Sequence, residues 1–342
     1  MWKKTLSYWA KYEIQVSVAA LIIAIVFPLV IQSNYFLTVG TYVLMFSMLS
    51  LSLNLITGYV GIASLGQAAF FGIGAYTSAI LSLNYGLDFL ITLPIATFLA
   101  FISGMLIGLP SLRLSGRYLV IVTLGFGEIV RIIAHNWTSL TGGVFGLAGI
   151  PAHVIAGIRL NTVVNRYYII LVMFVLAAVV VRNLTRSRTG LAMAAIKGDE
   201  LAAQTMGVNL FKYKVLVFAT SAAIAGSAGA FFAHFVSYID AFSFTFGLSL
   251  QILCMTIIGG LGTIAGSILG ALIYSIIPEL LRTFAIYRQV VYGLILVFII
   301  VFRPNGILGG FSLKQIRLYG ELRSLAAKNN EPEKVLAEGS AD

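Results

Sequence analysis

The sequence predicts an all-α polytopic membrane protein with about ten transmembrane helices. The 342-residue chain is 59% hydrophobic and only 10% charged, whereas soluble domains carry roughly 25% charged residues. Residues 14–87 contain no Asp, Glu, Lys or Arg, and the same is true of residues 241–278. Runs of this kind supply the stretches of about 20 apolar residues that a helix needs to cross a bilayer core.

Ten apolar stretches fit this fold, and an even number of crossings puts both termini on one side. With this division, 17 of the 22 Lys and Arg residues lie on the side of the termini. The positive-inside rule therefore predicts that both termini are cytoplasmic. The predicted spans are residues 14–31, 36–56, 64–83, 90–109, 118–134, 167–181, 215–236, 244–258, 264–277 and 290–302.

The spans divide the chain into a short cytoplasmic N-terminus at residues 1–13, a transmembrane domain at 14–310 and a cytoplasmic tail at 311–342. The tail is polar and charged, which favours disorder. The glycine-rich segment 136–166 is predicted to be a structured external loop, with a short surface helix as one option. The single cysteine, Cys254, excludes a disulfide framework within the chain.

The most polar segment inside the apolar region is residues 182–214, which carry six basic residues against two acidic ones. Its glycines divide it into two short predicted helices, Leu191–Lys197 and Glu200–Met206. Asp199 stands at the N-cap of the second helix and Gly207 follows its C-cap. Helices of about seven residues are not stable alone in water. We expect them to pack against a cytoplasmic partner, unless the segment is an ordinary solvated loop.

Two other segments are unusually rich in glycine, one at residues 58–74 and one at residues 259–270. Paired interrupted helices in the two halves of a chain are typical of a translocation path and of an internal repeat. Close packing of small residues explains the same pattern equally well. The candidate path residues are Gly61, Gln67, Gly259, Gly260 and Gly262.

Glu128 and Arg131 fall near the end of the fifth predicted span, three residues apart. Ionisable residues within a span are functional candidates by default. An ion pair that neutralises itself near the membrane surface is the other interpretation, and the sequence leaves both open.

The sequence shows no constellation that indicates catalysis, so we predict that the chain is not an enzyme. It has no phosphate-binding Gly-x-x-x-x-Gly-Lys-Ser/Thr motif, and its three histidines lack metal-ligand spacing. No cofactor, metal site or catalytic residue is predicted. The net charge of +10 is concentrated at span ends, which argues against a nucleic-acid partner. A conduit that draws on an ion gradient or on a separate nucleotide hydrolase fits these observations.

Five further motifs resemble one family jointly, although each is weak alone. They are Gly61–Tyr76 (GIASLGQAAFFGIGAY), Leu112–Tyr118 with Thr123–Phe126, Thr141–Pro151, Met255–Thr263 and Arg303–Gly306. Together they resemble the permease subunits of branched-chain amino acid ABC importers, of the type that pairs with a second, related permease. The resemblance runs from about residue 35 to residue 309.

This resemblance implies an ABC importer permease fold with interrupted glycine-rich helices in a bacterial inner membrane. It also implies a coupling helix in the 182–214 loop, on which Glu200, Ala202, Ala203 and Gly207 match the family pattern in outline. The acidic residue stands one place early, and Leu201 occupies its usual position. The coupling helix of this family docks on an ATPase subunit.

The implied partners, besides the lipid bilayer, are a second homologous permease subunit, two cytoplasmic ATPase subunits and an extracytoplasmic solute-binding protein. The implied solutes are leucine, isoleucine and valine, with urea or other amino acids as alternatives. The rival from another functional class is an ion-coupled secondary transporter or channel, which would work without ATP or partner proteins.

Overall fold

The computed structural model describes residues 20–31, 33–109, 117–155, 158–160, 162–280, 293–294, 302 and 306–308. Within these ranges the chain is largely helical. The α-helices are α1 (Ala20–Val30), α2 (Asn34–Asn54), α3 (Gln67–Tyr85), α4 (Phe89–Gly108), α5 (Arg117–Asn136), α6 (Thr138–Thr141), α7 (Val163–Arg186), α8 (Arg188–Gly198), α9 (Glu200–Thr205), α10 (Leu210–Val236), α11 (Phe246–Gly259) and α12 (Ile264–Leu280).

In the described part of the chain, four two-residue strands form two small antiparallel pairs outside the long helices. Strand β1 (Leu147–Ala148) pairs with β4 (Tyr238–Ile239), and β2 (Val154–Ile155) pairs with β3 (Ile158–Arg159). Three of the four strands and the short helix α6 belong to the 136–166 segment. The described part of that segment contains a short helix, which the sequence left as one option, and the external position of the segment stays a prediction.

Helix α10 occupies the centre of the fold, where it packs against α3 and α4. Glycines on these helices allow backbones to touch. A Cβ at Gly74 of α3 would overlap the backbone of Gly226 on α10, and a Cβ at Gly229 of α10 would overlap the carbonyl oxygen of Phe71. Small residues let membrane helices approach closely, and each contact gains dispersion energy along the whole seam.

The same core contains a chain of buried polar groups. The Ser78 hydroxyl lies 2.8 Å from the Thr92 hydroxyl and 2.9 Å from Nε2 of His234. Nδ1 of His234 lies 2.8 Å from the carbonyl oxygen of Pro151. These contacts satisfy polar groups that are costly to bury alone. They also tie the 150–153 loop to the helical core.

Five of the described helical segments are long and apolar enough to cross a membrane, or six if one bent pair counts as a single span. The five are α2 with its continuation to Val60, α4, α5, α7 and α10. The bent pair is α11 and α12, which meet at an angle of 119°. The predicted spans two to nine each coincide with a helix, but α3 is not among the five, and the predicted spans eight and nine are the two halves of the bent pair. The described residues therefore give fewer crossings than the sequence predicts for them. The count of ten stays a prediction, and residues 1–19, most of 290–302 and the tail at 311–342 lie outside the described residues.

Candidate functional site

The polar segment between α7 and α10 folds into a helical hairpin, α8–α9, which we call the coupling hairpin after the role that the family resemblance implies for it. Local capping accounts for its shape. The Asp199 carboxylate accepts a hydrogen bond from the Ala202 amide (2.9 Å), and Gly207 adopts a φ of +82° after the last turn of α9. Both roles agree with the sequence prediction. Capping depends only on residues that are close in the sequence, so it can be predicted from the sequence. Helix α8 begins at Arg188, three residues earlier than predicted, where Ser187 provides its N-cap.

The predicted coupling residues lie on different faces of this hairpin. Ala203 is only 4% exposed and packs inward. Ala202 and Gly207 are exposed. The most exposed apolar side chains of the hairpin are Leu201 at 73% and Met206 at 84%. They lie beside the exposed polar residues Gln204 and Thr205, and nothing in the sequence indicated that Met206 is exposed.

Glu200 turns away from that surface and joins the hairpin to α10. Its Oε2 accepts a hydrogen bond from Nζ of Lys214 at 2.7 Å. The Lys214 side chain is 3% exposed and the Glu200 side chain is 41% exposed. A buried ammonium needs such a partner, because an unpaired buried charge is strongly destabilising. Glu200 therefore fixes the position of α9 relative to the base of α10.

Both glycine-rich segments contain helix ends in the structure. Helix α2 continues as a π-helical turn, Leu55–Val60, and stops at Gly61, which has a φ of +84°. Helices α11 and α12 are separated at residues 260–263, where Gly260 and Gly262 have φ values of +133° and +79°. These positive φ values favour glycine over any other residue.

The two interruptions touch each other. A Cβ on Gly58 would overlap the backbone nitrogen of Gly262. The fully buried Asn54 bonds to the same break: its Oδ1 accepts from the Gly262 amide (2.8 Å), and its Nδ2 donates to the Thr263 carbonyl (2.8 Å) and the Ser267 hydroxyl (3.0 Å). Asn54 therefore works as a bridge between helices. A partner more than 200 residues away in sequence could not be identified from the sequence alone.

Gln67 begins α3 and is fully buried between α2 and α10. Its Nε2 donates to the hydroxyls of Ser52 (2.8 Å) and Ser221 (2.9 Å), while its Oε1 has no partner in the described part of the chain. Gly259 packs against α12, since a Cβ there would overlap the carbonyl of Gly266. Of the candidate path residues, Gln67, Gly259 and Gly260 are buried, Gly262 is partly buried and Gly61 is exposed, so the structure does not bring all five into one buried site.

Glu128 and Arg131 form an ion pair on α5, with Nε of Arg131 2.7 Å from Oε2 of Glu128. Both side chains are partly buried, at 32% and 24% exposed. The pair neutralises itself on one helix face, which agrees with the second of the two interpretations from the sequence. Among the described residues, no cluster of three or more His, Cys, Asp or Glu side chains is placed to hold a metal ion.

Comparison with known families gives a match over most of the membrane region. Residues 35–300 match the family described as the branched-chain amino acid transport system permease component. No solved structure matches the chain.

Several relatives carry related names. The high-affinity branched-chain amino acid transport system permease protein LivM of Escherichia coli is 36% identical over 85% of this chain and 74% of its own length. The probable branched-chain amino acid transport permease protein LivM of Methanocaldococcus jannaschii is 24% identical over 77% of this chain and 90% of its own length. The permease protein LivH of Escherichia coli is 30% identical over 36% of this chain and 40% of its own length.

Proposed function

The chain belongs to the branched-chain amino acid transport permease family, and we propose that it is the membrane permease subunit of an ABC importer that carries leucine, isoleucine and valine into the cell. The observation that carries the proposal is the similarity to the LivM permease of Escherichia coli, which extends over 85% of this chain. The chain is a transport component, and separate ATPase subunits power it.

The coupling hairpin is the contact through which those ATPase subunits act. Its exposed apolar residues, Leu201 and Met206, support this role, because apolar side chains on a cytoplasmic loop gain about 1.5–3 kcal/mol each when a partner buries them. The buried side of α9 supports it too. Ala203 and the Glu200–Lys214 pair hold the hairpin to α10, so a push on α9 reaches a long central helix. Rigid docking then passes ATPase closure to the spans.

The remaining partners are a second homologous permease, a solute-binding protein outside the membrane and two ATPase subunits. The match to both LivM and LivH of Escherichia coli supports a paired permease. The protein is a multi-pass protein of the bacterial inner membrane, with both termini and the 182–214 loop in the cytoplasm. The bias of the basic residues supports that orientation.

The translocation path runs beside the interrupted segments at residues 55–66 and 259–263. Two features support this placement: the breaks touch each other, and Gln67 keeps a buried amide oxygen without a partner in the described part of the chain. Alternating access requires segments that have two stable arrangements. Helices broken at glycines meet that requirement with a few backbone rotations.

The test is uptake of radiolabelled leucine into vesicles that contain this chain, its partner permease and the ATPase subunits, with the binding protein added outside. We expect uptake that requires ATP inside the vesicles, on the side opposite the binding protein. A catalytically dead ATPase should abolish this uptake. Uptake by the isolated subunit, driven by a sodium or proton gradient, would establish the secondary-transporter alternative and refute the proposal. Competition by urea or by other amino acids at equal concentration measures the solute range.

A further inference from the structure

One lysine of the coupling hairpin reaches the interrupted end of α2. Lys197 lies in the last turn of α8, and its Nζ donates a hydrogen bond of 2.6 Å to the carbonyl oxygen of Gly58. The two residues are 139 positions apart in sequence. The contact therefore joins the hairpin to a second part of the fold without passing along α7 or α10.

The chemistry of the acceptor explains why a lysine is found here. Gly58 lies in the π-helical turn that ends α2, where the last carbonyl groups lack partners within the helix. The end of a helix also carries partial negative charge, which attracts a cation. The Lys197 side chain as a whole is exposed, but its hydrogen bond to Gly58 is partly buried, and that partial burial lowers the pKa of the ammonium. The carbonyl and the helix end compensate for that desolvation.

Glycine at position 61 makes room for the lysine stem. A Cβ built on Gly61 would lie 3.1 Å from Cγ of Lys197, and the φ of Gly61 is +84°. The turn at Gly61 and the absence of a side chain let α8 approach the end of α2. The sequence predicts that Gly61 belongs to the translocation path, whereas in the structure Gly61 lies against Lys197 of the coupling hairpin.

The segment that Lys197 holds is the same one that holds the α11–α12 break. Gly58 follows Asn54 by one helical turn, and Asn54 bonds to Gly262, Thr263 and Ser267. Gly58 itself lies against the backbone of Gly262. Lys197 therefore contacts the segment at residues 54–61, and that segment in turn contacts residues 260–267. Each link is a hydrogen bond or a backbone contact with no flexible linker between them.

We propose that Lys197 is a positioning residue that transmits movement of the coupling hairpin to the paired helix breaks at residues 55–61 and 260–263. This inference rests on the proposed function, because it needs an ATPase that moves the hairpin. The hairpin then has two connections to the spans. Glu200 connects it to α10 through Lys214, and Lys197 connects it to the interrupted helices.

Lys197→Met is the central variant, because methionine keeps an unbranched apolar stem and removes the ammonium. In the complete vesicle-reconstituted complex we expect ATPase subunits to co-purify in wild-type amounts and the number of leucine molecules imported per ATP hydrolysed to fall at least fivefold. Lys197→Arg retains a cation of similar reach and should restore that ratio to within twofold of wild type. Lys212→Met makes the same substitution at an exposed lysine nearby and should leave the ratio unchanged.

A ratio within twofold of wild type for Lys197→Met would overturn the inference. Loss of ATPase co-purification in that variant would also overturn it, since the lysine would then serve docking or folding. The wild-type arm tests the proposed function separately, because a wild-type complex without ATP-dependent uptake refutes that function whatever the variant does.

Hydrogen exchange of the detergent-solubilised subunit measures the contact without any transport. Lys197→Met should speed amide exchange at residues 57–63 at least tenfold and leave the centre of α10 unchanged. Equal exchange in the two proteins would show that Lys197 does not hold this segment, and the inference would fail on that ground alone.

Discussion

Gly229 in the central helices and Gly198 at the end of α8 have opposite surroundings, although Gly190 of α8 also lies against backbone, at Thr185. In the packing of α10 against α3 and α4, a Cβ on Gly229 would overlap the carbonyl oxygen of Phe71. In the hairpin, a Cβ on Gly198 would meet nothing within 4 Å. The core glycines are sites of backbone contact, whereas the hairpin glycine is a boundary between two helices. The central helices are therefore held at backbone contact, whereas a side chain at position 198 would have room.

Two glycine variants test this difference with the largest expected effect. Gly229→Leu forces a large side chain against a backbone carbonyl, and we expect it to lower the free energy of unfolding by about 3 kcal/mol. Gly198→Ala should raise that free energy by about 0.5 kcal/mol, because alanine restricts the unfolded chain. Thermal unfolding in detergent, followed by circular dichroism, measures both. Similar effects from the two variants would show that the hairpin is packed as tightly as the core.

The two faces of α9 should respond differently to the same substitution. Ala203→Arg places a charge at a position that is 4% exposed, and we expect a loss of roughly 2 to 3 kcal/mol in unfolding free energy. Leu201→Arg changes a side chain that is 73% exposed, so the loss should stay within about 0.5 kcal/mol. The second variant should nevertheless reduce ATPase co-purification strongly. Equal stability of the two variants would contradict the orientation of α9.

The loop beside the core offers a test by pH. Desolvation lowers the pKa of His153 to about 3, with further contributions from His234 and Arg166. In the unfolded chain this histidine takes up a proton near pH 6.5, whereas in the folded chain it stays neutral. The free energy of unfolding is therefore undiminished by His153 above pH 6.5 and falls as the pH drops towards 3. At pH 5 the loss from His153 is about 2 kcal/mol. His153→Leu should reduce the difference in melting temperature between pH 7 and pH 5. If the difference is unchanged, His153 is not the group that makes stability depend on pH in this range.

The smallest effect is expected at the joint between the hairpin and the core. Glu200→Gln leaves the buried Lys214 ammonium without its carboxylate, but Glu200 is partly exposed, so we expect a loss of roughly 1 kcal/mol. Adding Lys214→Met removes the unpaired charge and should recover most of that loss. If the double variant is no more stable than Glu200→Gln, the two residues do not form the coupled pair seen in the structure.

Local features of this fold were predictable from the sequence, and long-range contacts were not. Asp199 and Gly207 act on neighbouring residues, so their capping roles follow from the chain alone. Glycine density left helix breaks and close packing equally open, and the structure has a helix end at Gly61 and close backbone contact at Gly58. The inward face of α9 could not be predicted, because a six-residue helix is under two turns and its orientation depends on what it packs against. The bonds from Lys197 to Gly58 and from Asn54 to the 262–267 segment depend on tertiary folding.

Photo-crosslinking from the exposed face of α9 tests most directly whether the coupling hairpin contacts a separate ATPase. A photoreactive phenylalanine derivative replaces Leu201 in the complete complex, and the same derivative replaces the exposed Phe242 as the control. The account predicts a covalent adduct between position 201 and an ATPase subunit in a complex that imports leucine, with no adduct from position 242. Absence of an adduct from position 201 in an actively importing complex, or an equal yield from position 242, would contradict it.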